Sequence, residues 1–134
     1  HHAVAWDTAW QITTKTLSYT NHTLLPEALE VWSVELFERM LPRHLDIIYR
    51  INTTHLDRAS AVRPNDNDFL ASVSIIDEKA GRRVRMGYLA FVGSHRINGV
   101  SAMHSELMKE TVFRDCEARM RIIELHGGLG GECV

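Results

Sequence analysis

Residues 86–92 read Met-Gly-Tyr-Leu-Ala-Phe-Val, and the chain then turns into Gly93-Ser-His-Arg-Ile-Asn-Gly99. No other stretch narrows the fold as much. A run this short and this apolar suits a strand covered on both faces. Beyond it, Val100, Met103, Leu107 and Thr111 recur at helical spacing. Strand, glycine-bounded loop and helix, in that order, form a crevice at the carboxyl end of a sheet strand. The expected fold class is therefore α/β, mostly helical, with one buried strand.

The rest of the chain supplies the helices. Asp7 is the expected N-cap of a helix reaching about residue 19, with Ala9, Ile12 or Thr13, Thr16 and Tyr19 on one face. Residues 20–26 break it, and Pro26 opens a short helix over 27–30. Ser33 caps a helix running to residue 41. Pro42 then starts the longest one, over 43–60, where Leu45, Ile48, Leu56 and Ala59 face the core and Asn52 interrupts the stripe. Arg-Pro-Asn-Asp-Asn-Asp (63–68) is a loop by composition. A helical turn over 69–73 leads to a hairpin, with strands at 73–76 and 82–86 about a turn at 77–81. At 134 residues this is one domain with one modest core. From Cys116 onward, Gly-Gly-Leu-Gly-Gly and its neighbours carry no core pattern, and a frayed tail is expected.

Charge and cysteines exclude several functions. The net charge is -2, so nothing draws the chain to nucleic acid or an anionic membrane, and no apolar run approaches a membrane span. Cys116 and Cys133 are the only cysteines, with no partner histidines at zinc spacing, so no metal site is expected and a reducing, cytoplasmic setting is favoured. The opening His1-His2-Ala3-Val4-Ala5 is neither an initiator methionine nor a signal peptide, and the chain reads as an excerpt of a longer protein.

Several side chains could carry chemistry. His22 lies between Asn21 and Thr23 at a helix break, where an imidazole can donate to or accept from a hydroxyl-rich ligand; the plainer alternative is a cap or packing role. In residues 93–100 the glycines permit close backbone approach, and Asn98 can cap the following helix. That segment is neither a Walker loop nor GxGxxG, and a tight structural turn is its plainer reading. Glu27 and Glu30, three apart on one helical face, allow paired-acid chemistry or simply a solvated helix start. His44 and His55 are eleven apart, too far to share a metal. His104 reads as packed, and Arg82, Arg83 and Arg85 as a solvated strand edge. No serine nucleophile motif is present.

Longer motifs point further. Trp-Asp-Thr-Ala-Trp-Gln-Ile-Thr-Thr-Lys-Thr (6–16), Tyr-Thr-Asn-His-Thr-Leu-Leu-Pro-Glu-Ala-Leu-Glu (19–30), Leu-Pro-Arg-His-Leu-Asp-Ile-Ile-Tyr-Arg-Ile-Asn (41–52), the hairpin at 74–86 and the run 89–113 follow one another in order. Together they resemble the α-glucan phosphorylases, the glycogen, starch and maltodextrin enzymes, with the hairpin closest to the bacterial branch. The resemblance implies a two-domain GT-B enzyme, usually a homodimer, with residues 1–115 forming the C-terminal part of its N-terminal Rossmann-like domain. It implies transfer of a glucosyl unit from the non-reducing end of an α-1,4-glucan to inorganic phosphate, giving glucose 1-phosphate. Pyridoxal 5'-phosphate is the implied cofactor, and cofactor and substrate phosphates carry the proton transfers.

By the same resemblance His22 bonds the glucosyl 6-hydroxyl, Thr23 and Glu30 line the pocket, and Val100 packs near the sugar's 6-position. Asn98 and Gly99 shape that wall. No catalytic residue and no Schiff-base lysine falls within this chain, so the segment alone is expected to be inactive, at most a weak sugar or partner binder. Residues 116–134 depart from the family pattern. Asp46 and Thr53 stand where animal enzymes carry glutamines for surface glycogen binding, so storage binding is not expected.

Overall fold

A computed structural model describes residues 3–79 and 81–116. The tail expected from Cys116 lies outside the described residues, apart from Cys116 itself.

Helix α1 spans Trp6–Thr16, with Asp7 in its first turn rather than at its cap. The acid there still faces the positive end of the helix dipole. The helix stops short of the expected residue 19. Its last turns are threonine-rich, and Thr13, Thr14 and Thr16 bond back to the carbonyls of Ala9, Trp10 and Ile12. Such back-bonding slightly weakens a helix. The chain then extends into strand β1, Ser18–Asn21. Pro26–Ala28 form a single 3-10 turn instead of a helix over 27–30, and Leu29 is already extended.

Strand β2 (Val31–Ser33) leads into α2 (Val34–Met40), whose first turn is capped as the sequence suggested: the Ser33 hydroxyl accepts the Leu36 N–H at 3.2 Å. Pro42 occupies the first turn of α3 (Pro42–Val62). Its buried face holds Leu45, Ile48, Ile51, Asn52, His55 and Ala59. Asn52 is the useful exception. Its amide oxygen accepts the Ile75 N–H at 2.8 Å, and its amide nitrogen donates to the Ser74 hydroxyl at 3.2 Å. The stripe is broken because a buried loop backbone needs a partner there. The His55 ring serves the same segment, bonding the Val73 carbonyl at 3.1 Å.

Asp66 caps α4 (Asn67–Val73) by accepting the Phe69 N–H at 2.9 Å. The hairpin follows as β3 (Ile76–Asp77) and β4 (Arg83–Arg85), shorter than expected because Val73 completes α4. Strand β4 is central, antiparallel to both β2 and β3. Arg83 and Arg85 are therefore not on a solvated edge, whereas Arg82 precedes the strand and is exposed. Arg85 donates to the carbonyls of Ala71, Ser72 and Ser74 at the end of α4, and both Arg83 and Arg85 lie 3.6 Å from the Asp77 carboxylate. The Lys79 backbone N–H, together with those guanidinium groups, holds the Asp77 carboxyl below its ordinary value, against the opposing effect of its partial burial.

The expected buried strand at 86–92 is a helix, α5 (Met86–Val92). Seven apolar residues fit either element by length alone. The helix is decided by its ends: the Met86 N–H bonds the Glu30 carbonyl beside β4, and the Gly93 N–H closes on the Leu89 carbonyl. The strand lies inside the expected loop instead, as β5 (Arg96–Gly99), followed by α6 (Ala102–Glu110).

One core cluster gathers Val34, Leu45, Ile48, Ile51, Ile75, Ile76 and Val84 between α3 and the three-stranded sheet. Each such side chain stabilises the fold by about 1.5–3 kcal/mol. A second cluster joins Phe91, Met108, Val112, Phe113 and Cys116, with the Phe91 and Phe113 rings stacked at 4.9 Å. On α6 the spacing misleads about burial. Val100, Met103 and Leu107 are exposed, while Ser105 and Met108 face inward. A polar contact at Ser105 sets the rotation of this helix.

Candidate functional site

Strands β1 and β5 pair in parallel, with Ser18 opposite Arg96, Tyr19 opposite Ile97, Thr20 opposite Asn98 and Asn21 opposite Gly99. The His95 N–H donates to the Leu17 carbonyl at 3.0 Å and extends the ladder. Both strands thus end level. His22 and Thr23 leave one, and Val100 leaves the other beside them. The carboxyl ends of adjacent parallel strands are where open α/β sheets hold ligands.

Side chains then build the two edges. The Thr20 hydroxyl donates to the Asn98 amide oxygen at 3.1 Å, across the pair. The Asn98 amide nitrogen bonds the Gly99 carbonyl at 2.9 Å. Asn98 is therefore committed to the strands and does not cap α6. Ser101 does so, accepting the His104 N–H at 3.1 Å. Gly99 is required by close approach: a Cβ there would lie 2.8 Å from the Ser105 nitrogen and would meet the His104 ring. After β1, the Asn21 side chain accepts the Thr23 N–H at 3.2 Å, and the Thr23 hydroxyl accepts the Leu25 N–H at 3.1 Å. These two side-chain turns carry the chain past His22, which is exposed, to Pro26.

The pairing therefore brings together His22, Thr23, Asn98, Gly99 and Val100, which are far apart in sequence. Glu30 is not held by this pair. Its carbonyl is fixed by Met86, and its carboxylate is exposed before β2. The shared helical face expected for Glu27 and Glu30 does not form, because the 3-10 turn ends at Ala28. His44 is exposed and His55 is buried in α3. Among the described residues no group of three or more His, Cys, Asp or Glu gathers as a metal site. No helix among them is long and apolar enough to cross a membrane. The residue passed over in the sequence is Asn21, which is 1% exposed and touches both edges. An asparagine two residues before a threonine signals a side-chain turn, but nothing local shows that it would be buried.

The family model for carbohydrate phosphorylases matches residues 1–122. The chain belongs to the carbohydrate phosphorylase family. It is 60% identical to the glycogen phosphorylase of Synechocystis sp. over 114 residues, covering 85% of this chain and 13% of that protein. Against the brain-form glycogen phosphorylase of Bos taurus it is 54% identical over 112 residues, covering 84% and 13%. The bovine liver form is 56% identical over 110 residues, covering 82% and 13%. The chain thus spans about an eighth of the length of these phosphorylases. The mixed, mostly helical α/β architecture fits a piece of such an enzyme.

Proposed function

We propose that this chain forms the sugar-holding edge of an α-1,4-glucan phosphorylase. The whole enzyme releases glucose 1-phosphate from the non-reducing end of glycogen or maltodextrin, using inorganic phosphate. The observation that carries the reading is the register of β1 against β5. It sets an exposed imidazole, a threonine and an exposed valine around one strand-end pair. Imidazole and hydroxyl suit sugar hydroxyls, and Val100 offers apolar contact to a sugar face. In this reading His22 bonds the 6-hydroxyl, Thr23 and Glu30 line the pocket, and Asn98, Gly99 and Val100 form the opposite wall. The pair would belong to the N-terminal Rossmann-like domain of a GT-B enzyme acting as a cytoplasmic homodimer.

Family membership also implies pyridoxal 5'-phosphate, and the lysines of this chain do not fit as its anchor. Lys15 is exposed at the end of α1, Lys79 is exposed in the hairpin turn, and Lys109 binds Glu106 on α6. The cofactor is accordingly assigned to the rest of the enzyme, and no step is routed through it here. What this chain contributes is orientation. A contact that tightens on the glucosyl unit in the transition state raises kcat/KM.

The test is His22→Ala in the full-length enzyme, assayed by phosphorolysis of maltoheptaose. Loss of one hydrogen bond of ordinary strength should lower kcat/KM roughly tenfold. An unchanged value refutes the role.

A further inference from the structure

Behind the exposed His22 lies a buried polar joint. The Asn21 amide oxygen accepts the Thr23 N–H at 3.2 Å and lies 2.9 Å from Nε2 of His104. Its amide nitrogen donates to the Tyr19 hydroxyl at 3.1 Å. An amide oxygen can only accept, so Nε2 of His104 carries the proton and donates it. Reversing the Asn21 amide would set its NH2 against the Thr23 N–H, which can only donate, so that bond fixes the amide orientation and with it the donor role of His104.

The same joint seats α6. His104 fills the space that Gly99 leaves by having no side chain, directly opposite Asn21 in the register. One residue on, the Ser105 hydroxyl accepts the Gly99 N–H at 2.9 Å and donates to the Ser101 carbonyl at 3.0 Å. The edge that carries His22 and the edge that carries Val100 are therefore tied through the contact between Asn21 and His104. His22 has its neighbouring residues, Asn21 and Thr23, bonded into this joint, so its backbone direction follows the joint.

We infer that Asn21 and His104 are positioning residues for His22, holding its imidazole at the sugar through the Asn21–His104 hydrogen bond. The inference rests on the sugar-binding reading given above. Neither residue touches the sugar. Their effect is on aim, and productive geometry tolerates only about 0.5 Å of error.

The test uses the full-length phosphorylase with maltoheptaose and inorganic phosphate as substrates. His104→Leu removes the donor and should lower kcat/KM by up to roughly tenfold, no more than His22→Ala does, chiefly in kcat. His104→Gln presents an amide N–H at similar reach and should recover most of the loss. Combining His104→Leu with His22→Ala should leave activity within about twofold of His22→Ala alone, because both act through one group. Multiplying losses in the double variant overturn the inference, as does a glutamine variant no better than leucine, or wild-type activity in His104→Leu. Should His104→Leu fail to fold, Asn21→Asp decides. It keeps the acceptor for Thr23 and His104 and lets the Tyr19 hydroxyl donate instead, so it should stay within about threefold of wild type; a loss as deep as that of His22→Ala overturns the inference. An unimpaired His22→Ala enzyme is a separate result, which removes the sugar-binding reading itself and this inference with it.

Discussion

Substituting Gly99 by alanine tests the seating of α6 on the strand pair. The added Cβ would lie 2.8 Å from the Ser105 nitrogen and 2.9 Å from the His104 carbonyl carbon. Both are backbone atoms, so no rotamer change relieves the contact. Tight but tolerable contact ends near 3.4 Å, and the helix must retreat by about 0.6 Å to reach it (3.4 less 2.8). That retreat stretches the bond from Gly99 N–H to the Ser105 hydroxyl beyond the usual range, and the Asn21–His104 bond with it. Overpacking costs about 1–3 kcal/mol and each weakened bond about 1 kcal/mol. The lower unfolded-state entropy of alanine offsets about 0.4–1 kcal/mol. The net loss should be about 3 kcal/mol, a large share of a small domain's stability. Gly87→Ala is the internal control. Its Cβ would meet Leu29 Cδ2 at 3.6 Å and the Tyr19 hydroxyl at 3.7 Å, which is ordinary contact, and it sits in the first turn of α5. Alanine gains about 0.5–1 kcal/mol over glycine in mid-helix and less in a first turn, so the sign should reverse. Urea titration of this chain, followed by far-ultraviolet circular dichroism, measures both changes at constant m-value. A Gly99→Ala protein within about 0.5 kcal/mol of its parent would refute the close-approach argument. So would a Gly87→Ala protein that loses as much.

Other consequences can be checked in the same background. Asn52→Leu should destabilise by about 1–3 kcal/mol, because the buried Ile75 N–H loses its acceptor; amide exchange at Ile75 should quicken, and unchanged protection there would contradict the assignment. Asp77 has a depressed folded-state pKa, so in acid the unfolded chain binds more protons and stability rises with pH. Its contribution is complete above the unfolded value near 3.8 and is lost as pH falls through the lower folded value. Asp77→Asn should flatten that acid limb of a stability–pH curve, and an unaltered limb would place the titration elsewhere.

What could be read from the sequence was local. Ser33 announced α2, Pro42 announced α3, and the turn residues at 77–81 announced the hairpin, since caps and turns act over a few positions. The polar break at Asn52 was visible, though its purpose lay with Ile75, across the core. The strand pair was not legible. Ser-Tyr-Thr-Asn reads as the end of a helix and its break, Arg-Ile-Asn-Gly reads as loop, and each becomes strand only by pairing with the other. For the same reason residues 86–92 took the strand that belonged to 96–99. At the site, family resemblance linked His22 with Asn98, Gly99 and Val100, and the register supplies the physical link. It gives none for Glu30. Asn21 and His104 escaped notice as a pair because their bond crosses 83 positions.

The long reach of the β1–β5 pairing also bears on how the chain is made. Thr20 bonds Asn98 across 78 residues, whereas β3 and β4 meet through a hairpin. Loop closure over the longer span is entropically harder, and its reward comes only when both strands are present. During synthesis at about 5–20 residues per second, β1 emerges roughly 4–16 s before its partner. In that interval α3 and the hairpin can bury their own core, while β1 waits with an unpaired edge that a chaperone or another nascent chain could engage.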